Sequence, residues 1–455
     1  MRSFTKHHCT YRLQLTNSEQ ASAHGGQVLV EAMCQRLGLW DKIKQCEHVD
    51  PRKRTNQGFA PQAIVAQLLF TLTSGGVSLA DAERMGKDQV LLDLIGLDKG
   101  ADQTTLGEWL RAQTKESVLE LMRLNWTVVD QIMAEAKPGR YLRAGCLDTF
   151  FDDTEIEVLG KHFEGARINY EGNLALSLQT LWVGPFWLDF ILDGAKDPSQ
   201  YLPELLGQHH ARWAGRKSHL FVDSASSSAA YLQAITDAGF TSWSVSYNKW
   251  TTVLDRQAEQ MPESQWSPSV LGEKTVAQYL WQRHQPGECK QAYDFATVRR
   301  KEVGELLWNY GHVASVAGEL KSAQLVMERH QLKGALEQRF SEVLSDLDLH
   351  HPPCAEQIAN QAFYAITMLA YNVLQALKVL EMPDEDQGMR VRSIIRHLLT
   401  VPVTISRHAR YTTATVCIGA GWLKWWRLFL ERWVPKRKPG RPPKEATVTA
   451  PARSG

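Results

Sequence analysis

Apolar residues along this chain follow two different periods. From Pro61 to Ala136 the spacing is helical and segmented. Pro61 stands as a first helical residue ahead of the apolar run Ala63–Leu72, and Gly75-Gly76 ends that run. Ser78-Leu79-Ala80-Asp81 opens a second helix, with a hydroxyl to cap its first turn. Thr105-Leu106-Gly107-Glu108 reads as a capping box that opens a short helix through Leu110. Val118, Leu121, Met122, Val129, Ile132 and Met133 then recur at helical intervals until Lys137-Pro138-Gly139. Short helices joined by tight turns suit a plain helical bundle. They also suit a helix-turn-helix-like module that presents one helix to the DNA major groove.

After Gly145 the pattern turns strand-like, in Cys146–Phe151, Ile156–Leu159, Leu174–Val183, Phe186–Leu192, Leu220–Val222 and Trp243–Tyr247. A helical stretch, Ser228–Ala238, lies among them, and the alternation predicts a mixed α/β core. Ser264–Gly287, rich in Pro, Ser, Gln and Trp, reads as an insertion. Strand-like Gln291–Val298 and Leu306–Val316 follow, then long helical patterns over Ser322–Leu347 and Ala355–Leu380.

The length of 455 residues is enough for two to four domains. Lys and Arg number 51 against 50 Asp and Glu, so attraction to a polyanion has to come from local patches. The seven cysteines include no C-x-x-C pair, which argues against a disulfide framework or a Cys-rich zinc site. Met1–Asn17 is polar and basic, unlike an export signal. Charged or polar residues interrupt the apolar windows Phe59–Leu72 and Val416–Leu430, so neither offers the roughly 20 apolar residues of a membrane span. The expectation is a cytoplasmic protein with no membrane association.

Three acidic positions stand out. Asp152 lies where the run Leu147-Asp148-Thr149-Phe150-Phe151 enters a cluster of carboxylates. Asp223 follows Leu220-Phe221-Val222, and Glu337 lies beside the apolar stripe Leu336, Phe340, Val343 and Leu347. A carboxylate just after an apolar strand sits at the sheet edge where α/β folds bind ligands. Two such aspartates on adjacent strands, with a glutamate from a helix packed alongside, would converge oxygens on hard divalent cations.

In these blocks the sequence resembles the DDE-type transposases of bacterial insertion sequences. The resemblance runs from about Gln57 to about Arg410 and includes Asp102-Gln103-Thr104-Thr105-Leu106, Asp152-Asp153-Thr154-Glu155-Ile156-Glu157-Val158-Leu159-Gly160 and Asn169-Tyr170-Glu171-Gly172. Val222-Asp223-Ser224-Ala225 resembles the family's second-aspartate block, and His330-Gln331-Leu332-Lys333-Gly334-Ala335-Leu336-Glu337 its glutamate-bearing helix. Ala359-Asn360 and Ala370-Tyr371-Asn372 resemble its closing helices.

The resemblance implies a ribonuclease H-like mixed sheet core with flanking helices, a β-rich insertion and an N-terminal all-helical DNA-binding region. It divides the chain into a helical end-binding region (1–140), a first core part (141–263), an insertion (264–290), a second core part (291–380), a C-terminal helical region (381–431) and a basic tail (432–455). It makes Asp152, Asp223 and Glu337 the metal-binding triad, with Asp148 and Asp153 as alternatives for the first carboxylate. Two Mg²⁺ or Mn²⁺ ions would serve cleavage at transposon ends and transfer of the freed 3′-hydroxyl into target DNA. The family's Tyr, Arg and downstream Lys positions read here as His330, Lys333 and Leu344, which leaves Lys333 and Arg339 as the phosphate-facing cations. The implied partners are double-stranded DNA, as terminal inverted repeats and target, and a second copy of the chain in the synaptic complex. A nuclease or DNA-binding derivative without strand transfer is the alternative.

Two further features are independent of the triad. The segment Arg432–Lys444 carries six cations and no acid, and its Lys438-Pro439-Gly440-Arg441-Pro442 core resembles an AT-hook. Lys436, Arg437, Lys438, Arg441 and Lys444 are thereby candidates for the minor groove of A·T-rich DNA. Trp243, Trp250, Trp266 and Trp281 lie in or beside the insertion and suit either base stacking or core packing. The pairs His7-His8, His209-His210 and His350-His351 lack metal-ligand spacing and read as surface or loop residues.

Overall fold

The computed structural model describes residues 19–52, 58–160, 162–194, 201–224, 227–247, 251–271, 274–287, 289–316, 321–408 and 411–433. The basic tail from residue 434 on, and with it Lys436, Arg437, Lys438, Arg441 and Lys444, lies outside them, as do His7-His8 and Trp250. The described residues up to Cys417 make one compact unit and those from Ile418 on a second.

A short strand β1 (Ala21–Ser22) precedes seven helices: α1 (Gln27–Arg36), α2 (Leu39–Gln45), α3 (Pro61–Thr73), α4 (Leu79–Met85), α5 (Gln89–Ile95), α6 (Gln103–Arg111) and α7 (Lys115–Glu135). Their ends obey local chemistry. Pro61 starts α3, and Ser78 and Asp81 form a reciprocal capping box on α4. Helix α6 starts earlier than its sequence suggests. The Asp102 carboxylate accepts from the Thr105 amide at 2.7 Å, so an anionic cap takes the place of the Thr105 box.

The main sheet begins with β2 (Leu147–Glu157), β3 (Arg167–Ile168), β4 (Leu174–Val183) and β5 (Phe186–Gly194). After α8 (Leu202–His209) come β6 (Ser218–Val222), α9 (Ala229–Asp237), β7 (Ser242–Tyr247) and α10 (Thr251–Glu259). The next four strands are β8 (Val270–Leu271), β9 (Thr275–His284), β10 (Tyr293–Glu302) and β11 (Asn309–Val316). The order is β3-β4-β2-β6-β7-β11-β10-β9-β8, with β5 also paired to β4. Strands β2, β6 and β7 are parallel, while β4 runs antiparallel to β2 and β11 antiparallel to β7.

One sequence expectation changes here. Cys146–Phe151 and Ile156–Leu159 are not separate strands, because β2 runs unbroken through the acidic stretch between them. The segment read as a β-rich insertion does carry a strand: β9 crosses the Pro- and Ser-rich stretch and pairs along its whole length with β10. A boundary at residue 290 therefore falls between two strands of one antiparallel meander.

Beyond the sheet come α11 (Ala323–His330), a 3-10 turn over Gln331–Lys333, and α12 (Gly334–Ser341), which together make one continuous helical rod. Helix α13 (Gln357–Ala376) follows, then α14 (Val391–Ile394) and the hairpin β12 (Val403–His408) and β13 (Tyr411–Val416), which pairs with β1. The second unit holds α15 (Leu423–Trp433).

Helix α13 with its continuation is the one described segment, Gln357–Glu381, apolar and long enough to cross a membrane. Of its most apolar window 94% is buried, against α7, α3, α6, α1 and β5. It is a core helix, and the N-terminal helices share that core with the sheet. Side-chain amides complete the contact. Asn372 accepts from the Trp187 amide at 3.0 Å and donates to the Trp187 carbonyl at 2.6 Å, and it donates to Asn125 at 2.8 Å. Asn125 donates to the carbonyls of Trp187 and Leu188. The outer edge of β5 is thus satisfied by two buried asparagines, since backbone polar groups left bare in a core are costly.

Candidate active site

The parallel register aligns three rows of side chains on one face of the sheet. Asp148 pairs with His219 and His219 with Ser242; Phe150 pairs with Phe221 and Phe221 with Ser244. Side chains alternate along a strand, so Asp152 and Asp223, each two residues further on, project from this same face. Both stand at the C-terminal ends of the parallel run, where an α/β sheet opens to a ligand.

The helical rod α11–α12 crosses this face. Val326 and Met327 pack on Ala296, Val298 and Val313 of the meander. Arg339 lies over the Phe150 ring at 4.7 Å, and the Phe340 and Trp182 rings meet edge to face. The rod therefore runs from β10 across to β4. At about 1.5 Å per residue its length, roughly 27 Å, matches the roughly 24 Å spanned by five strand spacings.

Lys333 stands at the middle of this crossing. Its ammonium lies 3.0 Å from Oδ2 of Asp152 and 3.5 Å from Oδ2 of Asp223. One carboxylate from within β2 and one just past the end of β6 therefore converge on one positive charge. Burial raises the carboxyl of Asp152 despite the lysine. Burial, and then the charges of Asp152 and Asp223, push Asp153 up to about 7. Negative charge is crowded here, and a single ammonium does not neutralise it.

Glu337 is exposed and lies one helical turn beyond Lys333. The series Val326, His330, Lys333, Glu337 and Phe340 keeps the three- and four-residue spacing of one helix face. Among the described residues no three acidic, His or Cys side chains form a ready metal-holding group. What the fold gathers is the pair Asp152–Asp223 with Asp153 beside it, and it carries Glu337 on the helix above.

Asp148 is differently placed. Its carboxylate is buried, 2.6 Å from Arg329 Nη2 and 3.5 Å from Arg143 Nε, and burial outweighs both cations in raising its pKa. It serves an internal ion pair two rows away from Asp152. Arg339 is likewise turned inward onto Phe150, and its Nη1 has no hydrogen-bond partner among the described residues.

Other candidate residues resolve into structural roles. Trp243 and Trp266 are buried, and Trp281 packs against the cluster under α11. His209 is a correction. It is fully buried against Asp189, and its Nδ1 lies 2.8 Å from Arg212, which in turn pairs with Asp130. The doublet His209-His210 reads as loop in sequence because its partners lie on other elements. His351, in contrast, is exposed and pairs with Asp348.

No curated protein matches the chain. The family model described as transposase DDE domain group 1 matches residues 10–173 and 191–432, a span that takes in the strands bearing Asp152 and Asp223 and the helix bearing Lys333 and Glu337. The chain belongs to the DDE-type transposases.

Proposed function

We propose that this transposase cleaves DNA at the ends of its element and transfers the freed 3′-hydroxyl to target DNA, with Asp152, Asp223 and Glu337 holding divalent cations. The observation that carries this reading is the ammonium of Lys333 within ion-pair distance of both aspartates. A cation is already favourable at that point, and hard oxygen donors from three carboxylates suit Mg²⁺ or Mn²⁺. When bound, two such ions activate a water or a 3′-hydroxyl and stabilise the leaving oxygen of an in-line phosphoryl transfer. Asp153 is the alternative first ligand. Asp148 is the weaker alternative because Arg329 engages it.

The sheet order supports a ribonuclease H-like core. Strand β2 lies at the centre, antiparallel β4 and β5 on one side and parallel β6 and β7 on the other. On this reading β8–β11 form the insertion. Lys333, once released from the aspartates, faces a backbone phosphate. The helical region before residue 140 and the basic tail hold DNA by phosphate and minor-groove contacts, and two copies act together on paired ends.

The test uses supercoiled donor DNA with Mg²⁺ or Mn²⁺. Asp223→Asn and Glu337→Gln abolish cleavage while binding to the element's ends persists. Full cleavage by either variant overturns the assignment.

A further inference from the structure

The rod that carries Glu337 is fastened to the sheet by side chains outside the proposed carboxylate triad. His330 Nδ1 lies 2.8 Å from Ser244 Oγ, and its Nε2 lies 2.7 Å from Ser246 Oγ. The same Ser244 hydroxyl is 2.9 Å from Nε2 of the buried His219, whose Nδ1 is 2.6 Å from Ser242 Oγ. Five side chains thus form one series, Ser242–His219–Ser244–His330–Ser246, linking β6, β7 and the helix. With one proton on each ring, every donor can point the same way along it and all four ring nitrogens are used. One residue earlier on the rod, Arg329 donates to Asp148 of β2 at 2.6 Å and lies over the Phe221 ring of β6.

We propose that His330 is a positioning residue: with Arg329 it clamps the rod to β7 and β2, and so fixes where Lys333 and Glu337 stand relative to Asp152 and Asp223. Two adjacent helix positions reach strands on opposite sides of β6. A helix held at two such points can neither roll about its axis nor slide along it without breaking one of them. Glu337 is exposed, so its position is inherited from the turn before. Ser242, Ser244, His219 and Asp148 are buried, hence the clamp survives whether or not DNA is present. This inference rests on the catalytic reading of Glu337, but the clamp itself is observable without it.

The experiment compares the full-length wild type with His330→Ala, His330→Gln and Ser246→Ala. Amide hydrogen exchange is measured without DNA or metal, and single-turnover nicking and affinity are measured for one end of the element with Mn²⁺. In His330→Ala, exchange over residues 331–341 rises about tenfold while α13 is unchanged. Nicking falls about 100-fold and end affinity stays within about twofold, as expected when reacting groups are misplaced rather than lost. Gln, which can still bridge two hydroxyls, restores part of both. If His330→Ala fails to fold, Ser246→Ala, which removes one bond only, gives the same pattern at smaller amplitude. Unchanged exchange, or raised exchange with wild-type nicking, overturns the proposal. If the wild type itself nicks no DNA, the catalytic reading fails, and the exchange result alone decides the clamp.

Discussion

The Lys333 ammonium lies 3.0 Å from the Asp152 carboxylate, which is proposed above as a ligand of a divalent ion. On that proposal the lysine and the ion compete. Removing the charge in Lys333→Met should raise the Mn²⁺ affinity of the DNA-free protein several-fold. Calorimetric titration checks this; an unchanged or weaker affinity would show that the lysine does not occupy the ion's position.

Asp148 and Asp152 stand on the same strand face but should respond oppositely to neutralisation. Asp148→Asn leaves Arg329 without its partner in a buried setting, where breaking such a pair costs about 3–5 kcal/mol. Asp152→Asn removes one of several crowded carboxylates, so the metal-free protein should lose no stability while nicking disappears. Denaturant midpoints and a plasmid-nicking assay on the two variants separate the roles.

Histidine 330 gives stability a defined pH dependence. Burial first, and then the charge of Lys333, push it down to about 4, with Asp223 opposing. An unfolded histidine titrates near 6.5, so between these values the unfolded chain binds a proton that the folded chain refuses. Stability is thus lost as pH falls from about 6.5 toward 4, by about 1.4 kcal/mol per pH unit at most. His330→Gln should flatten that part of the curve, as read from urea midpoints across the window.

The two asparagines under β5 predict a purely structural loss. Asn372→Leu deprives the Trp187 backbone of a donor and an acceptor and leaves Asn125 short of a partner. The expected cost is about 2–4 kcal/mol, because the groups left behind stay buried. Thermal unfolding measures it, and DNA-end affinity at low temperature should be unchanged.

Removing residues 434–455 deletes Lys436, Arg437, Lys438, Arg441 and Lys444. Affinity for A·T-rich duplex should fall, and the slope of log K against log salt should shrink by up to about 4.5 for these five cations, near 0.9 for each phosphate that the tail no longer neutralises. Equal slopes for the full and shortened chains would remove the tail from DNA binding.

Much of the fold is legible in the sequence where a single element carries the signal. The run Leu174–Val183 is β4 as read, because both its faces are buried and seven of its ten residues are apolar. Asp152 and Asp223 can be found as acids that follow apolar runs, although β2 continues through Asp152 to Glu157. Strand β9 is harder, since a half-exposed strand alternates with polar residues and blurs into loop composition. The clamp is harder still. Arg329 and His330 look like solvated helix residues until Asp148, Ser244 and Ser246 arrive from strands far away in the chain. His209 is hidden in the same way by Asp189. A buried polar group announces itself in sequence only when its partner is near in sequence.

The seam between β7 and β11 runs from Trp243 opposite Val316 to Tyr247 opposite His312. A ladder of backbone bonds that long makes the meander β8–β11 a fixed ledge beside the two aspartates, not an arm on a joint. Any duplex that must touch both has to supply the curvature itself, so easily kinked base steps near the cut should favour reaction even where no side chain reads them.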